Sequence, residues 1–146
     1  MTTIAMASDH AGFRLKEILK SHLAQQGHTV LDFGTDGEAP VDYPDFIHPA
    51  AESVAAGRCD LGIVLGGSGN GEAMAANKVK GVRCALCWST ESARLAREHN
   101  DANMIAMGAR LISADDARAI ADAWLAAAFQ GGRHTRRIAK LEPLTP

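Results

Sequence analysis

The stretch LGIVLGGSGNGE, from Leu61 to Glu72, joins a run without polar side chains to a glycine-rich loop. A short apolar run without alternation predicts a strand buried on both faces, which is typical of parallel sheets covered by helices. The residues that follow the loop, Glu72–Lys78, have a helical pattern. The stretch therefore predicts one strand–loop–helix unit of an α/β protein.

The same unit recurs along the chain. The predicted strands are TIAMAS, HTVLDFG, LGIVLG, RCALCW and NMIAMG. The predicted helices are Ala11 to Gly27, Pro44 to about Ala56, Glu72–Lys78, Thr90–His99 and Ala114–Phe129. Right-handed crossovers place helices on both faces of such a sheet. We therefore predict one domain over residues 1–146, a three-layer α/β/α sandwich of flavodoxin/Rossmann-like type, with a five-stranded parallel sheet in the order 2-1-3-4-5.

Composition and charge exclude several classes of protein. A net charge of -2 over 146 residues gives no basic field for nucleic acid or an anionic membrane. The N-terminus has no targeting pattern, and no window approaches the ~18 apolar residues of a membrane span. Three cysteines, Cys59, Cys84 and Cys87, do not form a secreted disulfide framework, and Cys84 and Cys87 lie in a predicted buried strand. A cytoplasmic protein is predicted.

The two loops after the first and third strands, Ser8–Gly12 and Gly66–Glu72, are expected to meet, because ligands bind at this switch point in doubly wound sheets. Gly71 is not followed by Lys and Ser or Thr, which excludes a P-loop, and Glu72 stands where a dinucleotide fingerprint needs glycine. The loop could be a structural turn or an anion site at a helix N-terminus. Glu72 could be an ordinary first-turn residue, or a base that removes a proton beside a carbonyl.

Other residues could complete a site for an anionic sugar. His10 lies on the first of the two loops. Arg133 and Arg137 are four residues apart, so on a helical turn they would face one way and could grip a phosphate; a solvated basic tail of about 131–146 is the alternative. No cluster has metal-ligand spacing, so no metal is expected.

Several motifs in order resemble the ribose-5-phosphate isomerase B family and its relatives that act on other sugar phosphates. They are SDHAGF, Asp42-Tyr43-Pro44, GGSGNGEAMAANK, REHNDANM, GARL and GGRHTRRI. The resemblance spans nearly the whole chain. It implies a flavodoxin-like fold and interconversion of D-ribose 5-phosphate and D-ribulose 5-phosphate through a cis-enediolate, in the pentose phosphate pathway, without a metal or organic cofactor.

The resemblance also implies roles for individual residues. Glu72 would be the general base, and His99, assisted by Asp9, would open the sugar ring. The branch with a cysteine base is excluded, because that position is Gly66 here. The implied substrate-binding residues are Asp9, His10, Gly67, Ser68, Gly69, Asn70, Gly71, Asn100, Arg110, Arg133 and Arg137; Ser68 to Gly71 would form the anion hole, and the arginines would chiefly bind the phosphate.

The predicted topology bears on assembly. His99 ends the helix that returns the chain to the opposite sheet edge, and Arg133 and Arg137 follow another such helix. We therefore predict a homodimer with sites shared between subunits, the basic tail contributing to the dimer and the phosphate site; a tetramer stays open. Two alternatives for function remain. The substrate could be a tetrulose 4-phosphate, allose 6-phosphate or galactose 6-phosphate, or the chain could be a non-catalytic phosphate- or nucleotide-binding module.

Overall fold

A parallel sheet runs through the centre of the chain, with helices on both faces. The computed structural model describes residues 2–143, so Met1 and the last three residues of the predicted basic tail lie outside the described residues. The strands are β1 Thr3–Ser8, β2 Thr29–Asp32, β3 Leu61–Gly66, β4 Cys84–Leu86 and β5 Met104–Gly108. The helices are α1 Phe13–Gln25, α2 Pro44–Ala55, α3 Asn70–Asn77, α4 Thr90–Asn100, α5 Ala114–Ala126 and α6 Arg133–Ile138. The predicted α/β fold with a five-stranded parallel sheet is confirmed.

The order of the last two strands differs from the prediction. The observed order is β2-β1-β3-β5-β4, whereas 2-1-3-4-5 was expected. All five residues of β5 are buried, as a strand with neighbours on both sides requires, while β4 has three residues and is partly exposed. Both runs are apolar in sequence, so hydrophobic pattern alone does not say which one takes the edge.

An asparagine closes the free edge of β4. The side chain of Asn77, at the end of α3, accepts from the Cys84 N–H and donates to the Cys84 carbonyl, each at 2.8 Å. These bonds replace those of a neighbouring strand and satisfy a backbone that would otherwise be unpaired. They also fix the C-terminal end of α3 to the start of β4.

The corrected order decides which face carries α4. The chain moves outward from β3 to β4 and then returns inward to β5, so right-handed crossovers place α3 and α4 on opposite faces. α4 accordingly packs against α5, on the same side of the sheet as α1, and α2 and α3 cover the other side.

Each face of the sheet has its own core. In β1 the larger side chains of Ile4 and Met6 point toward α1 and α5, while Ala5 and Ala7 point toward α2. Trp124 of α5 is fully buried in the first core, and its indole N–H donates to the carbonyl of Ala102 at 3.2 Å. Two cores on one rigid sheet fix the strand ends, from which the loops of the site emerge. No helix within residues 2–143 is long and apolar enough to cross a membrane.

Candidate active site

Two loops at the carboxyl edge of the sheet form one crevice. The backbone N–H of Asp9, just after β1, donates to the carbonyl of Leu65 at 3.2 Å. Gly12 lies so close to β3 that a Cβ on it would be 2.6 Å from the carbonyl group of Leu65. The loops 8–12 and 66–72 therefore lie together where the chain changes direction between β1 and β3.

Glu72 places a buried carboxylate in this crevice. It lies in the first turn of α3, and its side chain folds back over Gly66. A Cβ on Gly66 would overlap the Glu72 carboxylate. Only 4% of Glu72 is exposed. The lack of a side chain at position 66 is thus what makes room for the carboxylate.

The surroundings of Glu72 raise its pKa above the usual range for a glutamate. Burial is the main cause; a hydrogen bond from the residue's own backbone N–H lowers the pKa, and the negative charge of Asp9 raises it. Asp9 is held in place because its Oδ1 accepts from the Gly12 N–H at 2.9 Å. A carboxylate with a raised pKa is a stronger base than an ordinary one, which suits proton removal from carbon.

The glycine-rich loop has a conformation that leads directly into α3. Gly69 has φ +84°, and a Cβ there would be 2.8 Å from the side chain of Leu86, so glycine alone fits. The N–H of Asn70 donates to Ser68 Oγ at 3.2 Å. The first N–H groups of a helix have no helical acceptors, and the helix dipole adds positive potential there. The loop and helix start can therefore hold an anion.

Arg110 brings a cation to the same edge of the sheet. It follows β5, and its N–H donates to the Gly67 carbonyl at 3.0 Å. Its guanidinium lies over Gly67, where an added Cβ would be 3.0 Å from Nη1. An anion bound at the loop would meet this charge from its own chain.

The loop that precedes α2 holds His10 in one orientation. Nδ1 of His10 accepts from the backbone N–H of Val41 at 3.2 Å. A backbone N–H only donates, so Nδ1 carries no proton in this bond and the ring proton lies on Nε2. His10 therefore has an N–H donor available to a ligand.

Four predicted site residues, His99, Asn100, Arg133 and Arg137, lie at the opposite edge of the sheet. His99 is in the last turn of α4, and the carbonyl of Asn100 accepts from Arg83, the residue before β4, at 3.0 Å. The two arginines are on α6, which packs against α4. One chain therefore presents a buried carboxylate beside a loop that can hold an anion at one edge, and a cationic cluster at the other.

The cationic cluster contains a histidine that sequence reasoning missed. The rings of His99 and His134 are stacked, with centroids 4.4 Å apart and planes 15° apart. Burial lowers the pKa of His134, and the charges of Arg133, His99 and Arg137 lower it further. The one signal in the sequence is its place between two singled-out arginines, since no periodicity marks it.

The remaining reactive groups are outside the crevice. All three cysteines are unpaired and buried, as predicted for Cys84 and Cys87. Burial raises the pKa of Cys87 to about 12 and also raises that of Cys84, so neither is a ready thiolate. Among residues 2–143, no three His, Cys, Asp or Glu side chains are grouped so that they could hold a metal ion.

Comparison with known proteins identifies the family. The model of the Ribose/Galactose Isomerase family matches residues 4–141. The chain belongs to this family. Ribose-5-phosphate isomerase B of Mycolicibacterium paratuberculosis is 50% identical over 137 residues, which are 92% of this chain and 86% of that protein.

Solved structures of family members extend the similarity to the fold. Ribose-5-phosphate isomerase B of Clostridium thermocellum superposes with a TM-score of 0.94 at 50% identity, over 95% of this chain and 94% of that one. The enzyme of Mycoplasma genitalium, solved with bound ribulose 5-phosphate, gives a TM-score of 0.92 at 44% identity, over 95% and 93%. The predicted resemblance to the ribose-5-phosphate isomerase B family is thus confirmed.

Proposed function

We propose that the chain is an aldose–ketose isomerase that interconverts D-ribose 5-phosphate and D-ribulose 5-phosphate. The observation that carries the proposal is the buried carboxylate of Glu72, which lies over Gly66 at the N-terminus of α3. A base beside an anion site is what proton removal next to a carbonyl requires. Family relatives that carry this enzyme name, one of them with ribulose 5-phosphate bound, support the same reaction.

The proposed reaction moves one hydrogen from C2 to C1 and one from O2 to O1 of the substrate. His99, assisted by Asp9, opens the furanose ring. Glu72 then takes the proton from C2 of the open aldose, the C–H electrons form the C1–C2 double bond, and the carbonyl electrons move to O1. The N–H groups of Ser68 to Gly71 hold this cis-enediolate oxygen. Glu72 returns the proton to C1 while the O2 proton passes to O1, which gives the ketose with no net gain or loss of electrons.

The phosphate group is assigned to two arginines of one edge of the sheet and to a histidine of the other. Arg133 and Arg137 lie on α6 and present two guanidinium groups, the side chain best suited to phosphate oxygens. His10 would donate a further hydrogen bond from Nε2. Asn100 would contact the sugar, and Arg110 would balance the charge that develops at the loop.

A second copy of the chain is needed to bring these groups together. Since His99, Arg133 and Arg137 lie at the amino edge and Glu72 at the carboxyl edge, we infer a homodimer in which each site combines one edge from each subunit. Charge supports this pairing. The loop before α2 exposes Asp36 and Asp42, whereas α6 is basic. Oppositely charged surfaces favour such a contact.

An isomerisation assay with four-, five- and six-carbon aldose phosphates tests the proposal. We expect turnover of ribose 5-phosphate and exchange of its C2 hydrogen with solvent deuterium. If the protein prefers a tetrose or hexose phosphate, the proposed substrate is wrong but the proposed type of reaction stands. Binding of every phosphate without turnover or exchange would instead support a non-catalytic module. We assign the reaction to the cytoplasm, which the three unpaired buried cysteines favour.

A further inference from the structure

A lysine near the start of α1 is fully buried and has no role in the proposed reaction. The side chain of Lys16 is 0% exposed. Its ammonium group donates to Oδ1 of Asp32 at 2.6 Å and to the backbone carbonyl of Thr35 at 2.7 Å. Burial of a charge costs free energy unless the charge is paired and hydrogen-bonded. These two acceptors therefore fix the position of the ammonium group.

A second lysine shows which of the two contacts is particular to Lys16. Lys20 donates to the other carboxylate oxygen of Asp32, at 2.7 Å. Burial acts to raise the pKa of Asp32, but hydrogen bonds from both lysines and from the Gly34 N–H outweigh it, so the pKa is lowered. Within residues 2–143, the Thr35 carbonyl accepts a hydrogen bond from Lys16 alone. Two lysines balance the charge of Asp32, and one of them also holds Thr35.

Thr35 is connected to both partners of the hydrogen bond that orients His10. Its N–H donates to the carbonyl of Ser8 at 2.8 Å, in the loop that carries His10. The chain that follows Thr35 leads to Val41, whose N–H donates to His10 Nδ1 at 3.2 Å. Only 5% of Thr35 is exposed. A displacement of Thr35 would therefore move both the His10 loop and the segment that contacts it.

The segment between Thr35 and Val41 has weaker support elsewhere. Most of its residues are exposed. A second contact with α1 is the ion pair of Arg14 and Glu38, with Nε and Oε1 2.6 Å apart, and more than half of each side chain is exposed. Exposed ion pairs contribute little to stability. The buried hydrogen bond from Lys16 is thus the stronger of the two anchors on α1.

We propose that Lys16 is a positioning residue that holds the Thr35 carbonyl and thereby keeps His10 in the orientation that binds the substrate phosphate. The inference rests on the proposed isomerase function, in which Nε2 of His10 donates to the phosphate. Lys16 is fully buried and acts through Thr35, without contact to the substrate.

The groups proposed for the chemical step do not depend on this anchor. Asp9 is held by its own bonds, from its N–H to the carbonyl of Leu65 and from the Gly12 N–H to its Oδ1. Glu72 lies on α3, on the other loop of the crevice. Loss of the anchor should therefore weaken substrate binding much more than it slows the chemical step.

Two lysine variants provide the kinetic test. Lys16→Met removes the ammonium group and keeps the length of the side chain, and Asp32 keeps its bond from Lys20. We expect KM for ribose 5-phosphate to rise about 3- to 10-fold with kcat nearly unchanged. Lys20→Met is the matched control, because it removes an ammonium group from the same carboxylate without a change at Thr35; it should behave as wild type. A KM of Lys16→Met within about twofold of wild type overturns the proposal.

NMR measures the orientation of His10 without turnover. The chain has six histidines, and the signals of His10 are identified by their loss in His10→Gln. At pH ~8.5, above the ordinary histidine pKa of ~6.5, nitrogen-15 shifts should show the proton on Nε2 in wild type and in Lys20→Met. In Lys16→Met we expect a mixture of tautomers and faster hydrogen exchange at the Val41 amide, while the other five histidines keep their signals. Unchanged His10 and Val41 signals in Lys16→Met overturn the proposal.

A variant of the carboxylate keeps the test decisive if Lys16→Met does not fold. The side chain of Asp32 is 27% exposed, so Asp32→Asn leaves little buried charge without a partner. It removes the anion that holds Lys16 beside Thr35, and KM should again rise above that of Lys20→Met. Equal KM values for Asp32→Asn and Lys20→Met contradict the proposal.

The outcomes separate the two proposals. If the wild-type protein isomerises ribose 5-phosphate and Lys16→Met has the KM of wild type, the inference about Lys16 is wrong and the isomerase function stands. If the wild-type protein turns over no sugar phosphate, the proposed function fails. The NMR comparison of Lys16→Met with Lys20→Met then decides whether Lys16 positions His10.

Discussion

The two edges of the sheet differ in charge, burial and chemistry. At the carboxyl edge, Glu72 is buried against Gly66, with Asp9 close enough to raise its pKa. At the amino edge, His99 and His134 are stacked near the arginines of α6. The proposed reaction needs both groups, the carboxylate as base and the arginines for the phosphate, but one chain keeps them apart. If the proposed roles are right, each edge carries half of the groups that the reaction needs.

Among changes at the carboxyl edge, Glu72→Gln is expected to reduce activity the most. We expect turnover to fall by roughly 10²- to 10⁴-fold, the contribution of a general base, while the fold is kept. Binding of ribose 5-phosphate measured by calorimetry should be nearly unchanged, because the amide has the same shape. Near-wild-type turnover would exclude Glu72 as the base.

The next largest effect is expected from Gly66→Ala. The added Cβ overlaps the Glu72 carboxylate, so the base must move from its position, and kcat should fall roughly 10²-fold because such displacements are costly. Gly37→Ala is the control, since nothing lies within 4 Å of its added Cβ. If Gly66→Ala and Gly37→Ala have equal kcat, the steric argument for the base position is refuted.

Mixing two inactive variants tests whether the edges combine between chains. Glu72→Gln and His99→Ala change opposite edges, so a hybrid dimer has one intact site and one doubly altered site. Random exchange makes half of the dimers hybrid, and activity should recover to about a quarter of wild type. Subunit exchange is verified with differently tagged chains. Recovery of no activity despite exchange would mean that each site is built within one chain.

The smallest effect concerns stability at the carboxyl edge. The pKa of Glu72 is raised in the folded state, so the folded protein binds a proton more tightly there than the unfolded chain, and stability falls as pH rises through the folded pKa. Glu72→Gln should therefore be more stable than wild type at pH ~7, and this advantage should shrink toward the ordinary glutamate pKa of ~4.3. Chemical denaturation of both proteins across this pH range measures it. An advantage that does not depend on pH would show that charge burial is not its cause.

Much of the fold could be predicted from the sequence because its signals are local. β1 and β3 have the predicted bounds, and every predicted strand and helix is present in the described chain. Helix ends were less exact: α3 begins at Asn70 rather than Glu72, because the backbone of Gly69 already turns into the helix, and α5 ends at Ala126 rather than Phe129. The predicted order of β4 and β5 was wrong. Both runs are apolar, so the sequence does not show that β5 is the fully buried strand or that Asn77 pairs with the free edge of β4.

Part of the candidate site could likewise be predicted from the sequence, and part could not. Resemblance in several motifs pointed to Asp9, Glu72 and the glycine-rich loop, and the parallel topology predicts that the two loops meet. The signal for His134 was too weak, since the residue lies in no periodic pattern and is marked only by the arginines around it. Its ring stacks on that of His99, which lies on another helix and is distant along the chain.

Residue types and their spacing along the chain were enough to predict the strand–loop–helix units and the family, and they single out Glu72 as the expected base because Gly66 cannot serve as one. Three facts became visible only in the folded chain: β5 lies between β3 and β4, the Glu72 carboxylate fills the space over Gly66, and His99 with the α6 arginines lies at the amino edge of the sheet. These facts depend on burial and packing between distant segments. Local patterns do not encode which apolar strand is covered or which side chain fills a given gap.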